Sequence, residues 1–408
     1  MFKKIVPLRM EKFEIYSMLL NILNLFITAV RVSEKKIEID CYVKKEVTVC
    51  TCPNCGKETK LVNQRVARRV RDLDISGRQV WLHLSVRQFH CKDCNRYFQE
   101  DLDFVDLGKS YTHRQANYIF LLCKKQNYTE VASIVDMCPK TVERLMLCEC
   151  ERGAALEKRY AQVRRIGIDE QSHRKGKGDY FCILTDLDRG IVLDILETRR
   201  KDDLIAHFRK RGTEFCAQIT DVTCDIWTAY ISVAQTCFPQ ANIILDRFHV
   251  TKLLNNGLDT LRKALRAEAV ENDNFKKIKW ILFKQYHLLS DNELDRLDAA
   301  IDDCPRIGIL YEKREAFHHI LDNSPDVKTA LVAINSWLDS LQTEAITEFD
   351  AFAKMLQKHK QLVVNYVTDY LSNAVTEGLN NLIRSVRRIS FGMTNFKNLR
   401  LRVLAFSD

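Results

Sequence analysis

Three acidic residues have the residue types and the settings that a two-metal site requires. Asp169 and Asp225 each end a short apolar run, and Glu377 lies just inside a predicted helix that Ser372 or Asn373 could cap. The runs predict buried strands, and a sheet presents its functional groups at the carboxyl ends of its strands. A single Asp in this position is more often a cap or turn residue. Together, three carboxylates can hold two Mg²⁺ roughly 3.5–4 Å apart, a hard-oxygen site suited to phosphodiester chemistry.

The predicted helix that carries Glu377 has two unlike faces. The polar face consists of Glu377, Asn381, Arg384 and Arg388. The apolar face consists of Val375, Leu379, Leu382 and Val386. This spacing predicts that one face packs on the sheet while the other places a carboxylate beside amide and guanidinium groups. Residues 378–406 contain six basic residues and no acidic one. A charge run can be a solvated face, but its position after Glu377 favours contact with DNA phosphates through Asn381, Arg384 and Arg388.

Two Cys-x-x-Cys pairs predict a structural zinc site. The four candidate ligands are Cys52, Cys55, Cys91 and Cys94. Each pair places two thiolates on one tight turn, and two such turns supply the four ligands of a tetrahedral Zn²⁺. Unrelated pairs or a redox pair are the alternatives, but a thioredoxin-like pair needs a βαβ context that is absent here. Cys50 and His90 lie beside the pairs and are weaker candidate ligands.

A helix-turn-helix is predicted after the cysteine region. Helices are expected over 114–125, 129–135 and 140–147, with Thr129 as the cap of the second. Their small core would consist of Val131, Ala132, Val135, Val142, Leu145 and Met146. In this arrangement, Lys140, Thr141 and Arg144 would face the major groove of DNA. A plain helical hairpin is the alternative, and the neighbouring zinc motif and basic charge favour DNA binding.

Composition limits the class of protein. The chain has 408 residues, enough for two to four domains, and 63 basic against 54 acidic residues give a net charge of +9. This mild excess suggests a polyanionic partner. Fifteen cysteines without a signal-peptide pattern indicate the reducing cytoplasm. The apolar segment 15–30 is interrupted by Asn21 and Asn24, so we expect a buried helix running into a strand and no membrane partner.

Short apolar runs alternate with helical patterns in the second half of the chain and predict an α/β domain. The predicted strands are 165–169, 180–186, 191–196, 219–224 and 242–245. The predicted domains are a helix and hairpin (1–49), a zinc-binding ribbon (50–108), a helix-turn-helix (109–160), a first catalytic part (161–250), a helical insertion (251–365) and a last catalytic part (366–408).

Seven stretches resemble a known family. They are Cys-Pro-x-Cys-Gly at 52–56, Ile-Gly-Ile-Asp-Glu at 166–170, Cys-Asp-Ile-Trp-x-x-Tyr at 224–230, Phe-Pro-x-Ala at 238–241, Asp-Arg-Phe-His-Val at 246–250, Ser-Asn-x-x-x-Glu-Gly-Leu-Asn-Asn at 372–381 and Arg-Arg-Ile-Ser-Phe-Gly-Met-x-Asn-Phe-x-Asn at 387–398. The chain thereby resembles the DDE insertion-sequence transposases of the ISL-three family, which carry an N-terminal zinc-binding region. The resemblance implies a ribonuclease-H-like fold with a helical insertion and Mg²⁺-dependent cleavage and strand transfer at the element's ends. It places the catalytic trio at Asp169, Asp225 and Glu377.

Asp246 competes with Asp225 for the position of the second acid. Both end short apolar runs, but Asp246 directly precedes a predicted helix and suits its N-cap. The family pattern places the second acid one strand earlier, so we expect Asp225 to bind metal and Asp246 to cap.

The resemblance leads us to expect double-stranded DNA as the partner and a homo-oligomer, at least a dimer, on that DNA. Two other functions stay open: a domesticated DNA-binding regulator without catalysis, and a ribonuclease-H-like nuclease.

Overall fold

The computed structural model describes residues 13–22, 24–43, 49–153, 156–174, 179–268, 273–276, 278–390 and 395–407. The chain forms two compact units, one made of residues 1–153 with 389–391 and the other of residues 154–388 with 392–408. Within the described ranges, no helix combines the length and the apolar character needed to cross a membrane.

The first unit is built on one five-stranded sheet. Its elements are α1 (Glu14–Leu20), β1 (Leu25–Val32), β2 (Lys36–Val43), β3 (Cys50–Thr51), β4 (Glu58–Thr59), β5 (Val62–Ile75), β6 (Arg78–Cys91), β7 (Arg96–Gln99), α2 (His113–Cys123), α3 (Tyr128–Ile134) and α4 (Pro139–Gly153). The predicted helix and hairpin before residue 44 are present. The strand order is β1-β2-β6-β5, with β7 also paired to β6.

The predicted domain boundary at residue 50 does not divide this sheet. Strand β2 pairs in parallel with β6, from Lys36 opposite Gln79 to Cys41 opposite Leu84. The N-terminal hairpin and the long strands between the cysteine pairs therefore share backbone hydrogen bonds. They also share one apolar core, in which Ile39 packs with Val80 and Leu82.

Three helices follow the sheet, as predicted, and all six predicted core residues are buried. The predicted cap of α3 is wrong. Asn127, rather than Thr129, caps this helix, because its side chain accepts hydrogen bonds from the Thr129 and Glu130 amides. The Glu130 carboxylate accepts in return from the Asn127 amide. This reciprocal pair is a capping box, which fixes the start of the helix two residues earlier than expected.

The second unit begins with a mixed sheet. Its first elements are α5 (Leu156–Tyr160), β8 (Arg165–Arg174), β9 (Asp179–Asp186), β10 (Ile191–Leu196), α6 (Lys201–Arg209), α7 (Thr213–Gln218), β11 (Asp221–Cys224), α8 (Thr228–Cys237) and β12 (Asn242–Leu245). The strand order is β10-β9-β8-β11-β12. The first three strands are antiparallel, whereas β11 and β12 run parallel to β8. All five predicted strands are present, and the predicted α/β class is confirmed.

A helical region follows β12. Its helices are α9 (Arg247–Glu268), α10 (Lys279–Phe283), α11 (Asp291–Asp303), α12 (Pro305–Asn323), α13 (Val327–Thr343), α14 (Asp350–Val364), α15 (Tyr366–Asp369), α16 (Ala374–Ile389) and α17 (Phe396–Phe406), with short 3₁₀ turns at Asp273–Phe275 and Tyr286–Leu288. Helix α9 packs its apolar side inward, with Leu254 and Leu258 fully buried in the main core of this unit.

The face by which α16 packs differs from the predicted one. Its buried residues are Thr376, Leu379, Asn380, Ile383 and Val386. Val375 is exposed and Leu382 is only partly buried, so the expected apolar face is rotated. The reason is that two polar residues, Thr376 and Asn380, lie on the buried side and make hydrogen bonds there.

The first turn of α16 reaches the sheet through a polar seam, which we define as Gly167, Thr185, Thr223, Asn373 and Thr376. The Thr185 and Thr376 hydroxyls lie 2.9 Å apart, and the Thr223 hydroxyl donates to Asn373 Oδ1. A Cβ on Gly167 would lie 2.8 Å from Thr376 Oγ1 and 2.9 Å from Asn373 Oδ1, and closer still to Thr185 Oγ1. The absent side chain of Gly167 therefore makes room for the seam.

Gly167→Ala should destabilise the second unit by about 1–3 kcal/mol, because the added methyl group overpacks a closed contact. Chemical unfolding followed by circular dichroism measures this loss. Gly378→Ala is the matched control, since a Cβ there has no neighbour within 4 Å and alanine favours a helix. Equal stability of Gly167→Ala and the wild type would contradict the close approach of α16.

Candidate active site and zinc centre

Three aspartates occupy equivalent positions on the three parallel strands. Ile168 pairs with Cys224, and Cys224 pairs with Leu245. The next residues along the chain are Asp169, Asp225 and Asp246. The sequence analysis places Asp169 at the end of its strand, but β8 continues to Arg174 because β9 keeps pairing with it. Asp169 instead lies where β8 and β11 stop pairing, which brings it beside Asp225 at one edge.

Asp169 is a buried carboxylate with two hydrogen-bond donors. Its Oδ1 accepts from the Glu170 amide at 2.7 Å, and its Oδ2 accepts from Asn380 Nδ2 at 2.7 Å. Burial raises the pKa of Asp169, and the two hydrogen bonds oppose that shift by stabilising the charged form. The donors therefore help to keep a buried carboxylate in the ionised state that a cation needs.

His249 lies between the other two aspartates. Its Nδ1 donates to Asp246 Oδ2 at 2.9 Å, and its Nε2 lies 3.6 Å from Asp225 Oδ2. Burial lowers the pKa of His249, but the bond to Asp246 and the charges of Asp225 and Asp246 outweigh it, so the pKa is raised. The other oxygen of Asp246 accepts from the Phe248 amide at 3.3 Å, so the predicted cap of α9 is present.

Glu377 is exposed on α16 and lines the same cleft as Asp169, Asp246 and His249. The carboxylates of Asp169, Asp225 and Glu377 do not form a group whose ligand atoms all lie within 4.8 Å of one another, as judged over the described residues. Of these three carboxylates, Asp169 and Glu377 line one cleft, whereas Asp225 is not among its lining residues. Their hard oxygen donors suit Mg²⁺, and the donor set thus fits the predicted ion.

The basic segment after Glu377 divides into surface and structural residues. Arg384 lines the cleft and donates to Asn381 Oδ1 at 2.7 Å, and Arg388 is exposed. Arg400, in contrast, forms an ion pair with Asp194 at 2.6 Å, and Arg402 is fully buried. The predicted phosphate track is therefore shorter than the run of basic residues suggests.

The four predicted zinc ligands form one cluster. Their Sγ atoms all lie within 4.8 Å of one another. Cys52 Sγ lies 3.6 Å from Cys94 Sγ, and Cys55 Sγ lies 3.5 Å from Cys91 Sγ. Four sulfurs bound tetrahedrally at about 2.3 Å from Zn²⁺ stand about 3.8 Å apart, so the spacing fits the ion.

The turn that follows Cys52 favours the thiolate form of this residue. Gly56 adopts a positive φ of 73°, and its amide donates to the Cys52 carbonyl at 2.9 Å. Burial opposes ionisation of Cys52, but hydrogen bonds from the Asn54 and Cys55 amides lower its pKa to about 7. The weaker candidates Cys50 and His90 do not belong to the cluster found among the described residues. His90 instead contacts Asn95 Oδ1 at 2.9 Å.

Two family models match this chain. A family model described as transposase, for DDE transposases of the ISL3 type, matches residues 166–403. A second model, described as the zinc-finger of transposase IS204/IS1001/IS1096/IS1165, matches residues 48–94. The chain belongs to the ISL3 family of transposases.

Two kinds of relative span most of this transposase. The transposase for insertion sequence element IS1001 of Bordetella parapertussis is 25% identical over 372 residues, covering 90% of this chain and 91% of its own. The transposase for insertion sequence element IS1557 of Mycobacterium tuberculosis (strain CDC 1551 / Oshkosh) is 26% identical over 377 residues, covering 84% and 82%. The same-named protein of strain H37Rv matches equally. The chain is an insertion-sequence transposase with a zinc-binding N-terminal region.

The three residues predicted to read DNA lie on the surface of α4. Lys140 and Arg144 are exposed, and Thr141 is partly exposed. They occupy the first two turns of the helix, and the buried residues on the opposite side form the three-helix core. Their role in DNA binding stays a prediction, which this exposure permits.

Gly167, His249 and Asn380 have clear places in the site, yet the sequence analysis assigned no role to any of them. All three fall within stretches that carry the family resemblance, at 166–170, 246–250 and 372–381. That membership was the available signal. Their partners lie far away in sequence, so spacing alone could not reveal the contacts. Of the last matching stretch, residues 391–394 lie outside the described residues.

Cys52→Ser or Cys94→Ser should lose bound zinc and unfold the N-terminal region, since a structural zinc site contributes its binding energy to folding. Elemental analysis of protein purified without chelator should fall from about one Zn²⁺ per chain to almost none. Cys50→Ser and Cys138→Ser, outside the cluster, should keep the metal. Wild-type protein without zinc would rule out the site.

Proposed function

We propose that this transposase binds the ends of its mobile element and catalyses metal-dependent DNA cleavage and strand transfer with Asp169, Asp225 and Glu377. The observation that carries the proposal is the arrangement of these acids. Asp169 and Asp225 follow paired residues of adjacent parallel strands, and the helix that carries Glu377 is hydrogen-bonded to Asp169 through Asn380. Membership of the transposase family gives this arrangement its substrate.

The strand order supports a ribonuclease-H-like assignment for the catalytic domain. Three antiparallel strands are followed by two strands parallel to the first, and the first strand lies in the centre. Both aspartates then emerge from the middle of the sheet. Helices α9 to α14 stand in sequence between Asp225 and Glu377, as expected for a helical insertion in such a domain.

Two Mg²⁺ ions held by these carboxylates would supply activation of a water or a 3′-hydroxyl and stabilisation of the leaving oxygen. The protein's contribution is to fix the ligands. Asp169 would hold one ion together with Asp225, and Glu377 would complete the site from α16. His249 is hydrogen-bonded to Asp246, and its Nε2 lies 3.6 Å from Asp225 Oδ2, so its ring lies between these two carboxylates. Arg384, beside Glu377, would contact a phosphate of the bound strand.

We further propose that the helices α2 to α4 act as a helix-turn-helix that reads the element's ends through Lys140, Thr141 and Arg144. The exposure of these side chains and the buried core behind them support this assignment. Cutting two ends of one element requires two catalytic sites, which supports a homo-oligomer, at least a dimer, on double-stranded DNA.

Asp169→Asn, Asp225→Asn and Glu377→Gln should each reduce cleavage of DNA carrying the element's ends by at least about 10³-fold, because an amide cannot replace the charge that binds the ion. DNA affinity should be retained, as measured by gel shift. Asp246→Asn is the discriminating control. Its amide oxygen can still accept a hydrogen bond at the start of α9, so substantial cleavage should remain. Inactive Asp246→Asn beside active Asp225→Asn would exchange the two roles.

The same assay separates the competing functions. A regulator without catalysis would bind the ends and leave them intact in the wild type, and a ribonuclease-H-like nuclease would cut an RNA–DNA hybrid in preference to the duplex.

Arg384→Ala and Arg388→Ala should each weaken DNA binding about equally for all sequences. Each should also reduce, by roughly one, the slope of the logarithm of the binding constant against the logarithm of the salt concentration. Filter binding at several salt concentrations measures this slope. Arg165→Ala is the control, since Arg165 is the first residue of β8 and forms an ion pair with Asp188. A changed sequence preference would mean instead that these arginines contact bases.

A further inference from the structure

Asn380 lies between the strand that carries the first acid and the helix that carries the third. It is 7% exposed and stands three residues after Glu377 on α16. Its Nδ2 donates to Asp169 Oδ2 at 2.7 Å, and its backbone carbonyl accepts from Gln171 Nε2 at 3.3 Å. Asp169 and Gln171 are two residues apart on β8, so their side chains point to the same side of the sheet. Asn380 thus forms hydrogen bonds with two residues of β8.

The direction of the side-chain amide suits an ionised partner. An ionised carboxylate can only accept hydrogen bonds, and only the NH₂ group of an asparagine side chain can donate one. If the amide were turned round, Oδ1 would face Asp169 Oδ2 at a distance where two acceptors repel. The contact therefore favours the charged carboxylate, which is the form that binds a cation.

The hydrogen bonds leave room for metal on the same carboxylate. A carboxylate offers roughly four acceptor sites, two on each oxygen. Asp169 Oδ1 uses one for the Glu170 amide, and Oδ2 uses one for Asn380. Both oxygens keep a further site, while the rotation of the group is fixed from two sides.

We propose that Asn380 is a positioning residue of the metal site, which orients the Asp169 carboxylate and sets the register at which α16 presents Glu377. The inference rests on the proposed function, because it assumes that Asp169 binds the ion. Asn380 acts through Asp169 and binds no metal itself. Partners of this kind, hydrogen-bonded to a ligating carboxylate, contribute to metal affinity by fixing ligand geometry.

Mn²⁺ binding to the zinc-loaded full-length protein, followed by the electron paramagnetic resonance of free Mn²⁺, tests the proposal without DNA or activity. Asn380→Ala should weaken Mn²⁺ binding by roughly 10–100-fold. Asn380→Ser, whose hydroxyl is too short to reach Asp169, should show a loss of the same order. Ser385→Ala, at an exposed position of the same helix, should bind Mn²⁺ as the wild type does.

A merely structural role would lower the midpoint of thermal unfolding and leave Mn²⁺ affinity unchanged. Wild-type Mn²⁺ affinity in either folded Asn380 variant would therefore overturn the positioning role. Asp169→Asn separates this failure from a failure of the proposed function. If Asp169→Asn binds Mn²⁺ normally, the metal site itself is misplaced. If Asp169→Asn loses Mn²⁺ and the Asn380 variants do not, only the role of Asn380 is refuted.

Discussion

The close approach of α16 to the central strand is the constraint on which the proposed site depends. Helices usually pack on sheets through apolar side chains, which keep the backbones apart. Here Gly167 supplies no side chain, and Thr376 and Asn373 enter the space and bond to threonines of the sheet. Buried polar groups are costly unless they are hydrogen-bonded, so the seam tolerates few alternative positions of the helix. The position of Glu377 relative to the sheet follows from that requirement.

The edge formed by the parallel strands contributes the remaining geometry. Because β8, β11 and β12 are in register, equivalent positions on these three adjacent strands place Asp169, Asp225 and Asp246 along one line. Their surroundings differ. Asp246 accepts hydrogen bonds from the Phe248 amide and from His249, whereas the partly exposed Asp225 accepts one from the Ile226 amide and lies 3.6 Å from His249 Nε2. All three carboxylates accept hydrogen bonds, so the proposed division of roles rests on the partial exposure of Asp225 and on the position of Asp246 at the start of α9.

The zinc centre of the first unit is formed by the four cysteines of two turns. Two turns, one between β3 and β4 and the other between β6 and β7, bring four thiols to within metal-binding distance. The short strands β3 and β4 bury little apolar surface. Metal ligation can supply the folding energy that such a small region lacks. The cysteine spacing made this centre readable from the sequence, because all the required chemistry lies in the two motifs themselves.

The limits of the sequence analysis have physical causes. Apolar runs revealed the five strands of the second unit, but the length of β8 depends on its partner β9, so Asp169 was misplaced at a strand end. The hydropathy pattern predicts the wrong packing face for α16, because it carries no information on the buried hydrogen-bond partners of Thr376 and Asn380. Arg402, one of the six basic residues between 378 and 406, is fully buried, which the charge pattern does not reveal. Polar residues that satisfy one another across long sequence separations carry no local signal.

The most direct test of this account is the position of bound metal. Crystals of the wild-type protein with DNA of the element's ends, soaked in Mn²⁺, would reveal the ions by anomalous scattering. The account predicts ions held by the carboxylates of Asp169, Asp225 and Glu377. Ions held by Asp246 and His249, with Asp225 making no contact, would contradict it.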